Sequence, residues 1–147
     1  MSRPPITLER TDRESVRRVE SLLKANDLPY EDVRANPEQF FLARADGTRI
    51  GAGGVEPHGS TGLLRSVVVA ESHRGRGYGA ALCDALEDRA RADEVETLYL
   101  LTTTAAAFFR RRGYEEIARE SVPSAIRQTT EFADLCPETA TCMRKRL

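Results

Sequence analysis

Val67-Val68-Val69-Ala70-Glu71-Ser72-His73-Arg74-Gly75-Arg76-Gly77-Tyr78-Gly79 is the stretch whose reading decides the fold. A run of valines, strong strand formers, enters a turn with glycine at every second position. Beyond it Ala81, Leu82, Ala85 and Leu86 recur at helical spacing, with Asp84, Glu87, Asp88 and Arg89 on the other side. A strand therefore passes into a helix through a glycine-rich turn. The first turn of a helix leaves backbone N–H groups unpaired and carries partial positive charge. Glycines let that backbone approach a ligand closely and adopt positive φ. Arg74 and Arg76 add cations, and the whole is an anion site suited to a pyrophosphate. Two better-known phosphate loops do not fit. A dinucleotide fingerprint needs G-x-G-x-x-G, whereas Gly75, Gly77 and Gly79 alternate; a P-loop needs Gly-Lys-Ser/Thr, and Gly79-Ala80-Ala81 lacks it. A plain surface turn that caps a helix is the remaining alternative.

Outward from this stretch, the pattern gives a mixed α/β domain with a mostly antiparallel sheet. A first helix begins at Thr11 or Asp12, carries Val16, Val19, Leu22 and Leu23 on one face, and stops near Asn26. A short second helix is expected over Glu31–Asn36, ahead of Pro37. Phe40–Ala45 and Arg49–Glu56 read as strands joined by an Asp46-Gly47 hairpin turn. Gly51, Gly53 and Gly54 in the second of them imply close backbone approach or a bulge. Gly62–Ala70 is the third strand, so three antiparallel strands precede the helix over about Gly75–Ala92. Thr97–Leu101 is a buried strand, Thr104–Arg112 a short helix capped by Gly113, and Tyr114–Ala118 a strand. Ser124–Leu135 is expected to be helical and Thr139–Arg144 to return as the last strand.

Bulk properties bound the function. A chain of 147 residues fits one domain over 1–147 and buries a core without staples. Its 22 basic and 23 acidic residues balance to a net charge of -1, which argues against a general nucleic-acid binder. No apolar run approaches the roughly 18 residues that span a bilayer, so no membrane partner is expected. Met1–Glu9 has no signal-peptide core, and the expected location is cytoplasmic. Cys83, Cys136 and Cys142 are too sparse for a disulfide framework, and their spacing matches no standard metal motif. Small buried residues are the ordinary reading of them, and a soft-metalloid or redox role the alternative.

Arg74-Gly75-Arg76-Gly77-Tyr78-Gly79 matches the R/Q-x-x-G-x-G/A signature of the GCN5-related N-acetyltransferase (GNAT) family, which the element order also resembles over nearly the whole chain. The resemblance implies acetyl-CoA as cosubstrate. It assigns the pantetheine arm to the strand Val67, Val68 and Val69, and the pyrophosphate to the amides around Arg74, Gly75, Arg76, Gly77, Tyr78 and Gly79. It implies a strand that splays from its neighbour before the turn. A homodimer is compatible with it. Leu101-Thr102-Thr103-Thr104, Phe108-Phe109, Pro123, Thr130-Glu131-Phe132 and Leu135-Cys136-Pro137, with Leu64-Arg65-Ser66 and Glu56-Pro57, resemble more narrowly the short acetyltransferases linked to arsenic resistance. That resemblance implies acetylation of the α-amine of a small amino-acid-like substrate, an arsenic- or phosphorus-containing amino acid among them.

Acetyl transfer needs a neutral amine to attack, a stabilised oxyanion and help for the departing thiolate. Many family members place a tyrosine in a Phe-Tyr-x-x-x-Gly pattern as the acid. Here Phe108-Phe109-Arg110-Arg111-Arg112-Gly113 puts Phe109 at that position, without a hydroxyl, and Thr102 where an asparagine is common. Thr102, Thr103 or Thr104 is then left to contact the cofactor or hold a water, with Thr103 our catalytic candidate and Thr102 and Phe109 our cofactor contacts. Glu56, ending a central strand, is the first choice of base, against a solvated carboxylate; His58 is the second. Arg65 sits in a run that reads as buried, so it needs a carboxylate, internal or from substrate. Arg119 and Arg127 are second candidates for a substrate anion, against ordinary solvated arginines. A protein or peptide N-acetyltransferase and a non-catalytic acyl-CoA sensor are the rival readings.

Overall fold

A computed structural model describes residues 5–28, 30–31, 33–129 and 140–147. Strand β4 (Thr61–Val69) and helix α2 (Tyr78–Ala92) are the pair joined by the glycine turn. Ahead of them come β1 (Thr7–Arg10), α1 (Val16–Ala25), β2 (Phe40–Ala45) and β3 (Thr48–His58). After them follow β5 (Thr97–Thr102), α3 (Ala106–Arg111), β6 (Glu115–Glu116), α4 (Ser124–Arg127) and β7 (Thr141–Arg146). The strands make one seven-stranded sheet in the order β1-β2-β3-β4-β5-β7-β6. Every neighbouring pair is antiparallel except β4 and β5, which run parallel. This is the expected mixed α/β architecture, with helices on both faces.

Each face has a reason in the sequence. Helix α1 starts where Asp12 Oδ1 accepts from the backbone N–H groups of Glu14 and Ser15, at 3.0 and 2.9 Å. Its Val16, Val19 and Leu23 then bury against Phe40, Leu42, Ala52 and Val68. On the other face, Leu82, Leu86 and Ala90 of α2 pack with Phe41, Ile50, Leu64, Leu98, Leu100 and Met143. The bare centre of β3 admits both layers. A Cβ on Gly53 would lie 2.5 Å from Leu86 Cδ1, and one on Gly54 would lie 2.9 Å from Phe40 Cδ1. The β2–β3 hairpin turns at Asp46 and Gly47, both with positive φ (50° and 79°), as a two-residue turn of the strands' own twist requires.

The β3–β4 register carries the feature that matters most below. Gly54 pairs with Arg65 and Ala52 with Val68, so Gly53 alone faces both Ser66 and Val67. Ser66 takes φ 60° to make this bulge. The extra residue swaps the two sides of the strand. Leu64 packs in the α2 layer while Arg65 lies over Phe40 on the α1 side, and beyond the bulge Val68 is in the α1 layer while Val67 and Val69 pack with α2.

Several expected elements differ. Strand β1 was not foreseen. It is an edge strand with no buried side chain, held by pairing with β2 and by Glu9, whose carboxylate meets Arg44 at 2.9 Å and Arg49 at 3.0 Å. Four strands, not three, therefore precede α2. Among the described residues of the expected helix Glu31–Asn36 there is one tight helical turn, Val33–Ala35, and a second, Pro37–Gln39, follows it. Proline at 37 cannot donate to a continued helical ladder. Helix α2 begins at Tyr78, since Gly75 and Gly77 have φ of 78° and 82° and cannot be helical. The strand expected over Tyr114–Ala118 is the two-residue β6, and the last strand is displaced to Thr141–Arg146 by its register with β5. Helix α4 closes at Arg127; the rest of its expected span, 130–135, lies outside the described residues, as does Cys136. Among the described residues no helix is long and apolar enough to cross a membrane.

Candidate active site

Strands β4 and β5 pair only at Thr61↔Thr97, Gly62↔Leu98 and Leu63↔Tyr99. Beyond Leu63 and Tyr99 they part, which is the splay that the family resemblance implies. The gap opens into a cleft of about 1100 Å³. One wall runs from Leu64 to Val69, the other from Leu100 to Ala105 with Phe108 and Phe109. The glycine turn from His73 to Ala80 closes one side, and Asn26, Leu28, Tyr30 and Glu31 beyond α1 form a rim that the sequence reading missed.

The turn has the features of an anion site. Gly77 caps α2 in the left-handed region, and no side chain caps the helix. The first helical bond runs from Ala81 N to Gly77 O at 3.2 Å, so the amides of Tyr78, Gly79 and Ala80 have no acceptor within the helix. A Cβ built on Gly75 meets nothing within 4 Å, leaving the approach open. These groups fit the pyrophosphate of acetyl-CoA, and the unpaired edge of β4 fits its amide-bearing arm. Arg74 is a brace for the turn. Its Nε donates to Val69 O at 3.1 Å and its Nη2 to Asn26 Oδ1, while Asn26 Nδ2 donates to Leu22 O at 2.8 Å. Asn26 was another residue the sequence did not single out. Arg76 is exposed and lies off the cleft wall.

On the β5 side, Thr102 Oγ1 accepts from Ala105 N at 3.0 Å, just ahead of α3. Thr103 and Thr104 are exposed on the cleft wall. Phe109 is a buried part of that wall, edge-on to Phe108 (5.1 Å between centroids) and to Tyr114 (5.5 Å). Tyr114 is no substitute acid. Its hydroxyl donates to Glu87 Oε2 at 3.2 Å, and burial, with Glu87 beside it, holds its pKa far above the ordinary tyrosine value. Glu87 is itself buried and takes Lys145 Nζ at 2.7 Å.

On the acceptor side, Arg65 lines the cleft with its side chain only 1% exposed. Its guanidinium lies 5.2 Å over the Phe40 ring, and Nη1 is 4.0 Å from Glu56 Oε2. Glu56 is thus one carboxylate beside this buried charge. Glu56 does not line the cleft. It sits on β3 opposite Leu63, with β4 between it and the opening, and its Oε1 is 3.3 Å from His58 Nε2. That placement sets Glu56 beside Arg65 rather than on the cleft wall itself. Arg119 and Arg127 are not brought to the cleft either. Ile126 is the inward residue of α4, which turns its neighbour Arg127 outward, and Arg119 lies near Cys142. Cys83 and Cys142 are free and buried; burial, then Glu87 and Asp84, push the Cys83 thiol up to about 12. Among the described residues no group of His, Cys, Asp and Glu could hold a metal.

The model of the Acetyltransferase (GNAT) family matches residues 7–114. The chain belongs to that family. Acetyl-CoA is the cosubstrate of GNAT acetyltransferases. Among curated proteins, the amino-acid acetyltransferase of Pseudomonas syringae is 35% identical over 89 residues, 59% of this chain and 21% of that protein. The chain thus spans about a fifth of the length of the curated relatives it matches. Among solved structures, N-acetylglutamate synthase from Neisseria gonorrhoeae, complexed with coenzyme A and N-acetyl-glutamate, superposes with a TM-score of 0.82 at 17% identity, covering 99% of this chain and 36% of that one. A Mycobacterium tuberculosis protein in complex with CoA gives 0.78 at 21% identity, covering 98% and 99%. At these identities the likeness is one of fold.

Proposed function

We propose that this GNAT domain transfers the acetyl group of acetyl-CoA to the amine of a small, amino-acid-like substrate, by direct attack with both molecules in the cleft. The observation that carries the reading is the parting of β4 from β5 beside an uncapped helix end, which makes one continuous space for a thioester and an acceptor. Direct attack is favoured because no cysteine lines the cleft among the described residues. The names of the curated relatives support an amino-acid acceptor. So does Arg65, a buried cation on the cleft wall that suits a substrate carboxylate. An arsenic- or phosphorus-containing amino acid belongs to this class.

Within this reading, the amides at the start of α2 bind pyrophosphate and Arg65 orients the acceptor. Glu56 works at one remove, holding Arg65 rather than taking the proton itself. The amine enters neutral and sheds its proton to water in the open cleft. Thr103, exposed on the β5 wall, is our choice to hold that water, with Thr104 beside it. The test is thiol release from acetyl-CoA with a panel of amino acids, their arsenic and phosphorus analogues, polyamines and peptides. Release with amino acids alone is the expected result. Release with peptides only would make the chain a peptide acetyltransferase. Tight acetyl-CoA binding by calorimetry with silence across the panel would make it a sensor, the reading that the missing hydroxyl at Phe109 favours.

A further inference from the structure

Phe109 leaves the reaction without an obvious partner for its leaving group. Among the hydroxyls on the cleft, Tyr30 stands on the rim beyond α1 and Tyr78 at the glycine turn that starts α2. Tyr114 is committed to Glu87, and Thr102 is engaged just ahead of α3. Thr103 and Thr104 are exposed, where water weakens any hydrogen bond they offer. Ser66 differs from all of these. It lies on the β4 wall within the parted region, is 8% exposed, and is held at φ 60° by the bulge. Non-glycine residues fixed in that region concentrate at functional sites. The bulge itself asks only for backbone freedom, which glycine would supply without strain. What serine adds is the hydroxyl. Arg65 Nε donates to Ser66 Oγ at 3.4 Å, which occupies a lone pair and polarises the O–H bond away from the guanidinium. Among the described residues Ser66 Oγ is found as an acceptor and in no hydrogen bond as a donor.

We propose that Ser66 is a catalytic residue whose hydroxyl donates a hydrogen bond to the departing sulfur of the thioester. This rests on the acetyltransferase function proposed above. In the step, the amine nitrogen forms the new C–N bond to the acetyl carbon and the C–S bond breaks. Its electron pair goes to sulfur, which leaves as a thiolate stabilised by Ser66. The proton shed by nitrogen goes to water, and Ser66 keeps its own. Arg65 acts as a positioning residue through its bond to Oγ, besides its part in binding the acceptor.

The test compares the wild-type chain with Ser66→Gly, which keeps the bulge and removes the hydroxyl; Ser66→Ala is the second variant if glycine loosens the strand. With acetyl-CoA and an accepted amine, kcat is expected to fall on the order of 10²-fold. The Kd for acetyl-CoA, read by calorimetry, should stay within about twofold. The discriminating measurement uses Se-acetyl selenocoenzyme A. A selenolate is a better leaving group and needs less help, so the deficit of the variant should shrink several-fold. A kcat unchanged in both variants overturns the proposal. So does an equal deficit with thioester and selenoester, which would mean that the hydroxyl acts elsewhere. A wild-type chain that binds acetyl-CoA but releases thiol with no amine overturns the proposed function first, and the role of Ser66 with it.

Discussion

From Thr61 to Leu63, strand β4 is laddered to Thr97–Tyr99 of β5; from Leu64 and Leu100 onward the same two strands have no ladder between them. The closed end is tied from several directions. Gly62 lets β4 seat against Val95 and Leu98, where an added Cβ would lie 3.2 Å from Val95 Cγ1. Glu96 N donates to Ser60 O at 2.7 Å, and Leu98 sits opposite Lys145, whose ammonium meets Glu87. The open end has a bulge, an uncapped helix, left-handed glycines and a buried arginine. The difference teaches that the chain separates the region that keeps it folded from the region that binds. A domain of ordinary stability has only about 5–15 kcal/mol to lose, so strain at the open end is tolerable only because the closed end is well made.

Substitutions and pH sharpen or break this comparison. The largest effect is expected in alkali. Cys83, buried on α2, has its thiol raised from 9.0 to about 12 by burial. Its stabilising contribution is whole below pH 9, where the unfolded thiol stays protonated, and is lost as pH rises from 9 toward 12. The loss across that window is about 4 kcal/mol. Tyr114 adds a loss of the same sign above its ordinary value of 10.0. Urea denaturation against pH should show this fall, flattened in Cys83→Ala; a slope identical in the variant would refute it. Next, Lys145→Met strands the buried Glu87 carboxylate and should cost about 3 kcal/mol in urea unfolding. The acetyl-CoA affinity of the folded variant should be unchanged. A large loss of affinity would mean that the two ends are not separate.

At the open end the order of effects reverses. Arg65→Lys keeps the charge but loses the planar fork, and should raise KM for a carboxylate-bearing amine by about 30-fold, near 2 kcal/mol. Steady-state kinetics should show that rise with the acetyl-CoA Kd intact; a change confined to acetyl-CoA would give Arg65 the wrong partner. Smallest is Gly75→Val, which should weaken acetyl-CoA by about tenfold in calorimetry, near 1.4 kcal/mol. The variant's melting temperature should fall by a few degrees, since valine at φ 78° is strained even though a Cβ there meets nothing within 4 Å.

Much of this was legible in the chain, and the reasons differ by element. The strand–turn–helix at Val67–Gly79 was readable because the requirement is local: glycine at 75 and 77 takes the positive φ that the uncapped helix start uses. The glycines at 51, 53 and 54 announced close approach, and Leu86 and Phe40 are what approach. Strand β1 was hidden because Thr7–Arg10 has no buried face, so its pattern carries no hydrophobic period. The side on which Glu56 falls was hidden too, since it depends on strand pairing rather than on local sequence. Asn26 reads as a helix terminus, and only the fold brings it to Arg74. The bulge at Ser66 left no trace because serine in a valine run reads as unbroken strand, while the register shift is set by β3 across the sheet.

That bulge also says something about which changes in length the chain tolerates. A deletion of one residue at Gly59 or Ser60, exposed in the turn between β3 and β4, would shorten a loop. A deletion at Ser66 would instead remove the bulge, and Leu64, Arg65, Val67, Val68 and Val69 would then alternate without interruption on the sides they already hold. Val68 would stay in the α1 layer and its two neighbours in the α2 layer, and the strand would lose only the Ser66 side chain and the bulge itself. The serine is thus a spare letter in the pleat: the strand can lose it and still be read in frame.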